Sequence, residues 1–290
     1  MRKYIKDGNL VLENVSDFNL KHIFECGQCF RWILNEDKSY TGVIKDRVIT
    51  VAQTGDTVTF KNCTEGDYDN FLEDYFDMKR DYSKIKSKLR KIDKDLNAAV
   101  EFGDGIRILN QDPFEMIITF ILSANNRIPM IMRAVDGLSE KFGVHICEVD
   151  GKKFYEFPTS EKLSSAEISE LRLSGVGFRD KYVSKTSKMI NDDPEFLKNL
   201  LDMEYLVAFK ELQKLSGVGP KVADCIALFS LQKSQAFPVD TWVKKVMEHF
   251  YIKDDSSFKL IKEYANNNYG DIAGFAQQYL FYYARENKIG

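Results

Sequence analysis

The run Leu215-Ser216-Gly217-Val218-Gly219-Pro220-Lys221-Val222-Ala223-Asp224-Cys225, followed by Pro238-Val239-Asp240, constrains this chain more than any other segment. A tight Gly-x-Gly turn ends one helix and starts the next. Lys221 falls in the first turn of that second helix, where the macrodipole is positive. This is an electrostatically poor place for a cation, so its presence asks for a chemical reason. A lysine nucleophile and a carboxylate, mounted on a turn whose amides can hold a phosphate, point to covalent chemistry on DNA.

The 290 residues suffice for one large domain or two modest ones, and at 44% hydrophobic they can build an ordinary globular core. No apolar run approaches the ~20 residues of a membrane span. The N-terminus, Met1-Arg2-Lys3-Tyr4-Ile5-Lys6-Asp7, has no apolar signal-peptide core, so a cytoplasmic protein is expected, nucleoid-associated if prokaryotic. Cys26 and Cys29 make a lone Cys-x-x-Cys with only His22 nearby. A zinc site needs about four ligands, so two reduced thiols are the better reading. The net charge of −3 is no bar to DNA, because phosphate binding needs a local patch and not a basic total. The basic stretch Lys79, Arg80, Lys84, Lys86, Lys88, Arg90, Lys91 and Lys94 is expected to be a solvated helix face.

Residues 9–63 alternate as strands do, with turns at Asp37, Asp46 and Gly55-Asp56, which predicts an antiparallel meander packed on one face. From about Asp67 the period becomes helical. Asp112-Pro113 is a cap followed by proline at the first helical position, opening a buried helix from Phe114 to Leu122. Further helices are expected near 127–141, 179–191, 195–203, 204–215, 220–231, 240–250, 257–268 and 271–286. No Gly/Ser-rich linker separates the strands from the helices, so tight packing is expected between a sheet domain with flanking helices (1–100) and a helical domain (101–290). Leu173-Ser174-Gly175-Val176-Gly177 repeats Leu215-Ser216-Gly217-Val218-Gly219, each at a helix end. Two similar helix C-caps are one reading and two DNA-facing turns the other.

The segments Gly27-Gln28-Cys29-Phe30-Arg31-Trp32, Asp112-Pro113-Phe114-Glu115, Ser123-Ala124-Asn125-Asn126, Gly175-Val176-Gly177-Phe178-Arg179 and Ala276-Gln277 to Phe281 accompany the hairpin in that order. Together they resemble the bifunctional 8-oxoguanine DNA glycosylases of the eukaryotic type, within the helix-hairpin-helix glycosylase superfamily. The likeness covers nearly the whole chain. The hairpin with Lys221 and Asp240 specifies only the superfamily; the Gly27 segment and the Gln277/Phe281 pair specify the subfamily. The resemblance implies an α+β fold, an N-terminal antiparallel sheet domain packed on an all-helical helix-hairpin-helix domain. It implies a monomer whose partner is double-stranded DNA containing 8-oxoguanine, with no membrane involved.

The chemistry follows from the reaction. Cleaving a base from deoxyribose develops positive charge on the sugar, which a carboxylate stabilises. An amine then attacks C1′ and leaves a Schiff base. The iminium acidifies the C2′ proton, so the 3′ phosphate is eliminated. Lys221 is the expected nucleophile and Asp240 the carboxylate; the plainer alternatives are a solvated helix lysine and an N-cap. For Asp240 both can hold, since capping would fix the carboxylate's direction. Asp224 is the alternative carboxylate, though its helical step from Lys221 suits a structural anchor.

A lesion base must leave the duplex to be examined. Gln277 and Phe281, at i and i+4, share one helix face, so Gln277 could read the base's pairing edge while Phe281 stacks on it. Cys225, one turn after Lys221, could form the opposite wall, with Pro238 beside the pocket. The alternatives are a surface glutamine and a core phenylalanine. By resemblance, the carbonyl at Gly27 accepts the N7–H that 8-oxoguanine has and guanine lacks. Also by resemblance, Asn125 and Arg179 face the orphaned cytosine with Phe178 as an aromatic wedge. Gly217, Gly219 and Trp242 are assigned to the DNA backbone. The chemistry requires no organic cofactor and no catalytic metal; the resemblance implies a monovalent cation on the carbonyls of Gln213, Leu215 and Val218. Three positions depart from the family. Phe178 stands where tyrosine is commoner, Met130 stands where a second cytosine-reading arginine is usual, and Trp242 replaces a histidine. The rival readings are a same-fold glycosylase for another damaged base and a non-catalytic helix-hairpin-helix DNA-binding protein.

Overall fold

The computed structural model describes residues 1–253 and 255–289. Six strands form one antiparallel sheet in the order β1-β2-β6-β5-β4-β3. These are β1 (Arg2–Lys6), β2 (Asn9–Glu13), β3 (Trp32–Leu34), β4 (Tyr40–Ile44), β5 (Arg47–Thr54) and β6 (Thr57–Lys61). Alternation sets the register. Leu10 pairs with Phe60 and Leu12 with Val58 across β2 and β6, and Val51 pairs with Phe60 across β5 and β6. All five side chains are buried, so a one-residue slip would turn this set toward solvent. β1, which the sequence pattern did not single out, is an edge strand joined to β2 through Asp7 and Gly8, at φ 50° and 75°. Two positive φ values in succession make the tight hairpin turn.

The helices follow. Asp112 caps Pro113–Ser123 by accepting the Glu115 amide at 2.9 Å, with proline at the expected position. Every residue from Phe114 to Leu122 except Glu115 is buried, as an apolar run of this kind requires. The helical part is not all-helical. A two-stranded hairpin, β7 (His145–Val149) and β8 (Lys152–Tyr155), interrupts it. Asp150 and Gly151 turn it with φ 49° and 78°.

Two hydrophobic cores result, one under the sheet and one among the helices. Packing cuts across the sequence near residue 100: Tyr82, Leu89, Leu96 and Val100, on helices Tyr82–Arg90 and Lys94–Phe102, bury into the helical core. Nor is the basic stretch uniformly solvated. Lys86 is buried, its ammonium ion-paired with Asp17 and Asp104 and donating to the Asp104 carbonyl at 2.9 Å. A buried ammonium persists only with such partners.

The Gly27–Trp32 segment is where the cores meet. Phe30 belongs to the helical core, against Phe120 with centroids 5.9 Å apart, while Cys29 and Trp32 belong to the sheet core. Trp32 stacks on Phe24 at 4.1 Å and donates to the Tyr75 hydroxyl at 2.8 Å. Gln28, fully buried, donates to the carbonyls of Ile23 (2.9 Å) and Arg107 (2.7 Å) and accepts the Leu109 amide (2.9 Å). Arg31 crosses to the helices, pairing with Glu115 at 3.3 Å and donating to the Tyr155 carbonyl.

Burial raises the Glu115 carboxyl above its ordinary value, and the Arg31 guanidinium opposes that shift. Removing the cation strands a buried carboxylate. Arg31→Met is therefore expected to cost about 3–5 kcal/mol of stability at neutral pH. Without Arg31 the folded-state value rises further, and a raised carboxyl stabilises the fold below its unfolded value and loses that contribution as pH rises. The deficit therefore shrinks as pH falls toward 4.5, the ordinary value for Glu. Thermal unfolding across this range checks both the size and the direction.

Candidate active site

A cleft of about 550 Å³ lies between the Gly27 segment, the end of helix Pro113–Ser123, the start of helix Pro220–Phe229 and the C-terminal helix Ala273–Asn287. Gly27, Asn125, Lys221, Cys225, Pro238, Asp240, Trp242, Gln277 and Phe281 all line it. Phe178, Arg179, Gly217 and Gly219 do not. Phe30, Phe120, Asn126 and Gln278 are among the other lining residues, and sequence reasoning assigned them no role. Phe30 lay within a noted motif, but nothing distinguishes Phe120 from the other apolar residues of its helix.

The turn between helices Tyr205–Leu212 and Pro220–Phe229 puts Lys221 in the cleft. Gly217 has φ 87°, and a Cβ there would stand 2.9 Å from the Tyr182 side chain, so glycine is needed on both counts. Gly219 is the N-cap of the second helix, with no side-chain cap bond, leaving the first amides open. The Lys221 ammonium stands 5.6 Å from the centroid of the Phe120 ring. Asp240 caps helix Thr241–Phe250: its Oδ1 accepts the Val243 amide at 2.8 Å, so one carboxylate oxygen is held in place at the cleft wall.

Asp224 is committed elsewhere. It is buried, accepts from the Tyr205 hydroxyl and the Lys262 ammonium, each at 2.7 Å, and so ties three helices together. Burial pushes its carboxyl up to about 6, against the pull of Lys262. Burial also pushes the Cys225 thiol up to about 11, so it is a neutral, apolar wall at ordinary pH.

Gln277 is 5% exposed, and its Oε1 has no hydrogen-bond partner. A buried unpaired acceptor costs roughly 1–3 kcal/mol, which a ligand's donor would recover. Phe281, one turn on, lines the same wall.

At the cleft mouth, Asn125 is exposed with φ 50°, a left-handed conformation. Arg179 is buried and donates to the Ala124 carbonyl (3.1 Å from Nε) and the Asn125 carbonyl (3.1 Å from Nη2). Its guanidinium thus braces the loop that carries Asn125. Phe178 is 66% exposed, with the Arg179 guanidinium 4.2 Å from its ring centroid. Met130 is exposed near the same mouth, in the first turn of helix Ile128–Phe142. Trp242 is partly exposed under Lys245, whose ammonium is 5.6 Å from its ring centroid. Among the described residues no cluster of His, Cys, Asp and Glu suits a metal ion.

Residues 10–117 match the 8-oxoguanine DNA glycosylase N-terminal domain, and residues 118–269 match the HhH-GPD superfamily of base excision DNA repair proteins. An N-glycosylase/DNA lyase of Arabidopsis thaliana is 33% identical over 92% of this chain and 77% of its own. The N-glycosylase/DNA lyase of Saccharomyces cerevisiae is also 33% identical, over 85% of this chain and 71% of its own. The chain belongs to the 8-oxoguanine N-glycosylase/DNA lyase family. Among solved structures, the Clostridium acetobutylicum 8-oxoguanine glycosylase/lyase, in complex with double-stranded DNA containing cytosine opposite 8-oxoguanine, superposes with a TM-score of 0.96. It is 45% identical and covers 100% of this chain and 99% of that one.

For a glycosylase/lyase the tolerance at Gly27 is a sharp test. Its φ is 88°, and an added Cβ would lie 3.2 Å from Phe281 and 3.4 Å from Arg285. Gly27→Ala is expected to cost about 1–2 kcal/mol in left-handed strain alone. It should also slow base excision beyond what that stability loss explains, because the methyl enters the cleft beside Phe281. Unfolding and single-turnover excision, measured on the same preparation, separate the two effects.

Proposed function

We propose that this protein excises 8-oxoguanine from double-stranded DNA and then cleaves the strand at the resulting abasic site. The observation that carries the reading is the buried, unpartnered Gln277 acceptor in the same cleft as Lys221 and Asp240. A guanine-type pairing edge offers N1–H and N2–H donors to such an acceptor, while Phe281 and Cys225 supply flat and apolar walls. The Gly27 carbonyl is assigned the N7–H that marks the lesion.

In this scheme Asp240 stabilises the sugar cation as the bond from C1′ to the base breaks. The Lys221 amine forms its bond to C1′ and, after ring opening, holds the sugar as a Schiff base. Loss of the C2′ proton expels the 3′ phosphate, and hydrolysis returns the lysine. The open amides at the start of helix Pro220–Phe229 suit a backbone phosphate. A monovalent cation on the carbonyls of Gln213, Leu215 and Val218 belongs to the same proposal. Of these, Leu215 already accepts the Val218 amide at 3.2 Å and would use its second lone pair. A cytoplasmic location, at the nucleoid if the source is prokaryotic, belongs to the same proposal; among the described residues no helix is long and apolar enough to cross a membrane.

Borohydride trapping on an 8-oxoguanine:cytosine duplex is expected to give a covalent adduct with the wild type and none with Lys221→Gln. A persistent adduct would remove Lys221 from its role, and a wild type that binds tightly without one would indicate a non-lyase glycosylase or a binding module.

The opposite-base preference should be weak. A bidentate arginine contact to a base is worth about 1–3 kcal/mol of discrimination. Met130 cannot supply one, and the Arg179 guanidinium is turned onto main-chain carbonyls. Excision opposite adenine and opposite cytosine is therefore expected at comparable rates. A strong cytosine preference in parallel single-turnover assays would sink this expectation.

A further inference from the structure

The loop before and after Gly27 is held in an uneven way. The Glu25 carbonyl accepts from Arg285, the Cys26 carbonyl accepts from Gln278 Nε2 at 2.7 Å, and the Gln28 carbonyl accepts from Gln111 Nε2 at 2.9 Å. Among the described residues the Gly27 carbonyl accepts nothing, although its neighbours on both sides are taken. Two of the three donors, Gln278 and Arg285, stand on the C-terminal helix that also carries Gln277 and Phe281. Gln278 is 2% exposed, so its amide has no water to fall back on. The Arg285 guanidinium lies 5.5 Å from the Phe281 ring centroid, and its Nη1 would be 3.4 Å from a Cβ on Gly27. Its other partner, Glu286 at 2.9 Å, is on the exposed side, where an ion pair contributes little.

We infer that Gln278 and Arg285 are positioning residues for lesion recognition. They lock residues 25–26 to the helix that forms the base wall, and so set the distance between the Gly27 carbonyl and the Gln277/Phe281 pair. The inference rests on the proposed reading of the cleft as an 8-oxoguanine pocket. Its physical basis is that one hydrogen bond separates lesion from normal base, and that bond weakens steeply with misplacement. Without the clamps, the loop gains freedom across the one dimension that discrimination uses. Contacts by Gln277 and Phe281, which guanine shares, would be kept.

The test is binding of 8-oxoguanine:cytosine and guanine:cytosine duplexes in the Lys221→Gln background, which blocks turnover. Strand cleavage at a preformed abasic site, which presents no base, is measured in the otherwise unaltered enzyme. Gln278→Met and Arg285→Leu keep the volume and remove the donor. Each is expected to lower the 8-oxoguanine:guanine affinity ratio by roughly tenfold, the loss of about one net hydrogen bond. Cleavage at the abasic site should fall by much less. Arg285→Lys, which restores a donor, is expected to recover most of the ratio. Arg285 is partly exposed, so its variants keep the test sound if Gln278→Met fails to fold. An unchanged ratio, or equal losses on the lesion and the abasic site, overturns the inference. A parent protein that binds both duplexes alike overturns the proposed function itself, and this inference with it.

Discussion

The side-chain amide of Gln28 is buried where the sheet core and the helical core meet, and it bonds the Ile23 carbonyl, the Arg107 carbonyl and the Leu109 amide at once. A shift of the sheet against the segment leading into helix Pro113–Ser123 would strand several buried polar groups, each at a cost comparable to a lost hydrogen bond or more. Arg31 and Glu115 add a second tie with the same all-or-nothing character. Gly27 is the residue immediately before this locked point. The rigidity that the proposed reading asks of the Gly27 carbonyl is therefore supplied in part by the junction between the cores.

The cleft reverses that logic. At the junction the polar groups are paired; at the cleft wall the Gln277 Oε1 is buried without a partner. Other buried hydroxyls also lack partners, among them Thr119 and Tyr279, but of these groups only Gln277 lines the cleft with Lys221 and Asp240. An open acceptor in a rigid wall favours a ligand with a donor over solvent. Asp240 shows the complementary device: a helix cap spends one carboxylate oxygen on the Val243 amide and thereby aims the group.

The repeated pentapeptide shows how far local sequence reaches. Gly175 and Gly217, its middle glycines, share the same left-handed φ, 90° and 87°. The final glycines differ: Gly177 has φ 60°, while Gly219 is extended at φ −90°. Pro220 accounts for the difference, since a residue before proline is pushed to extended backbone. The two turns are also physically connected. Helix Asp180–Asp192, which follows the first, supplies Tyr182 against Gly217 and the Thr186 hydroxyl to the Ser216 carbonyl at 2.8 Å. The first turn thus starts the helix that buttresses the second.

The strand alternation, the Asp112-Pro113 cap, the i, i+4 pairing of Gln277 with Phe281 and the placement of Lys221 after a glycine turn were legible in the sequence, because each follows from spacing along one element. The β7–β8 hairpin had a local signal in Asp150-Gly151, in a stretch between two expected helices to which no element was assigned. Four outcomes could only be decided by residues far apart in the chain. Lys86, one of a run of lysines, is buried because Asp17 and Asp104 arrive beside it. Arg179 turns onto main-chain carbonyls because the Ala124-Asn125 loop lies within reach. Asp224, rather than Asp240, becomes the structural anchor because Tyr205 and Lys262 converge on it. Gln277 is left without a partner because the elements around it close into a cleft. Sequence pointed to the residues proposed to carry the chemistry, since propensity, capping and period act within a few residues. Tertiary structure alone decided which polar groups are satisfied and which are left unpaired, since that depends on what packing brings near.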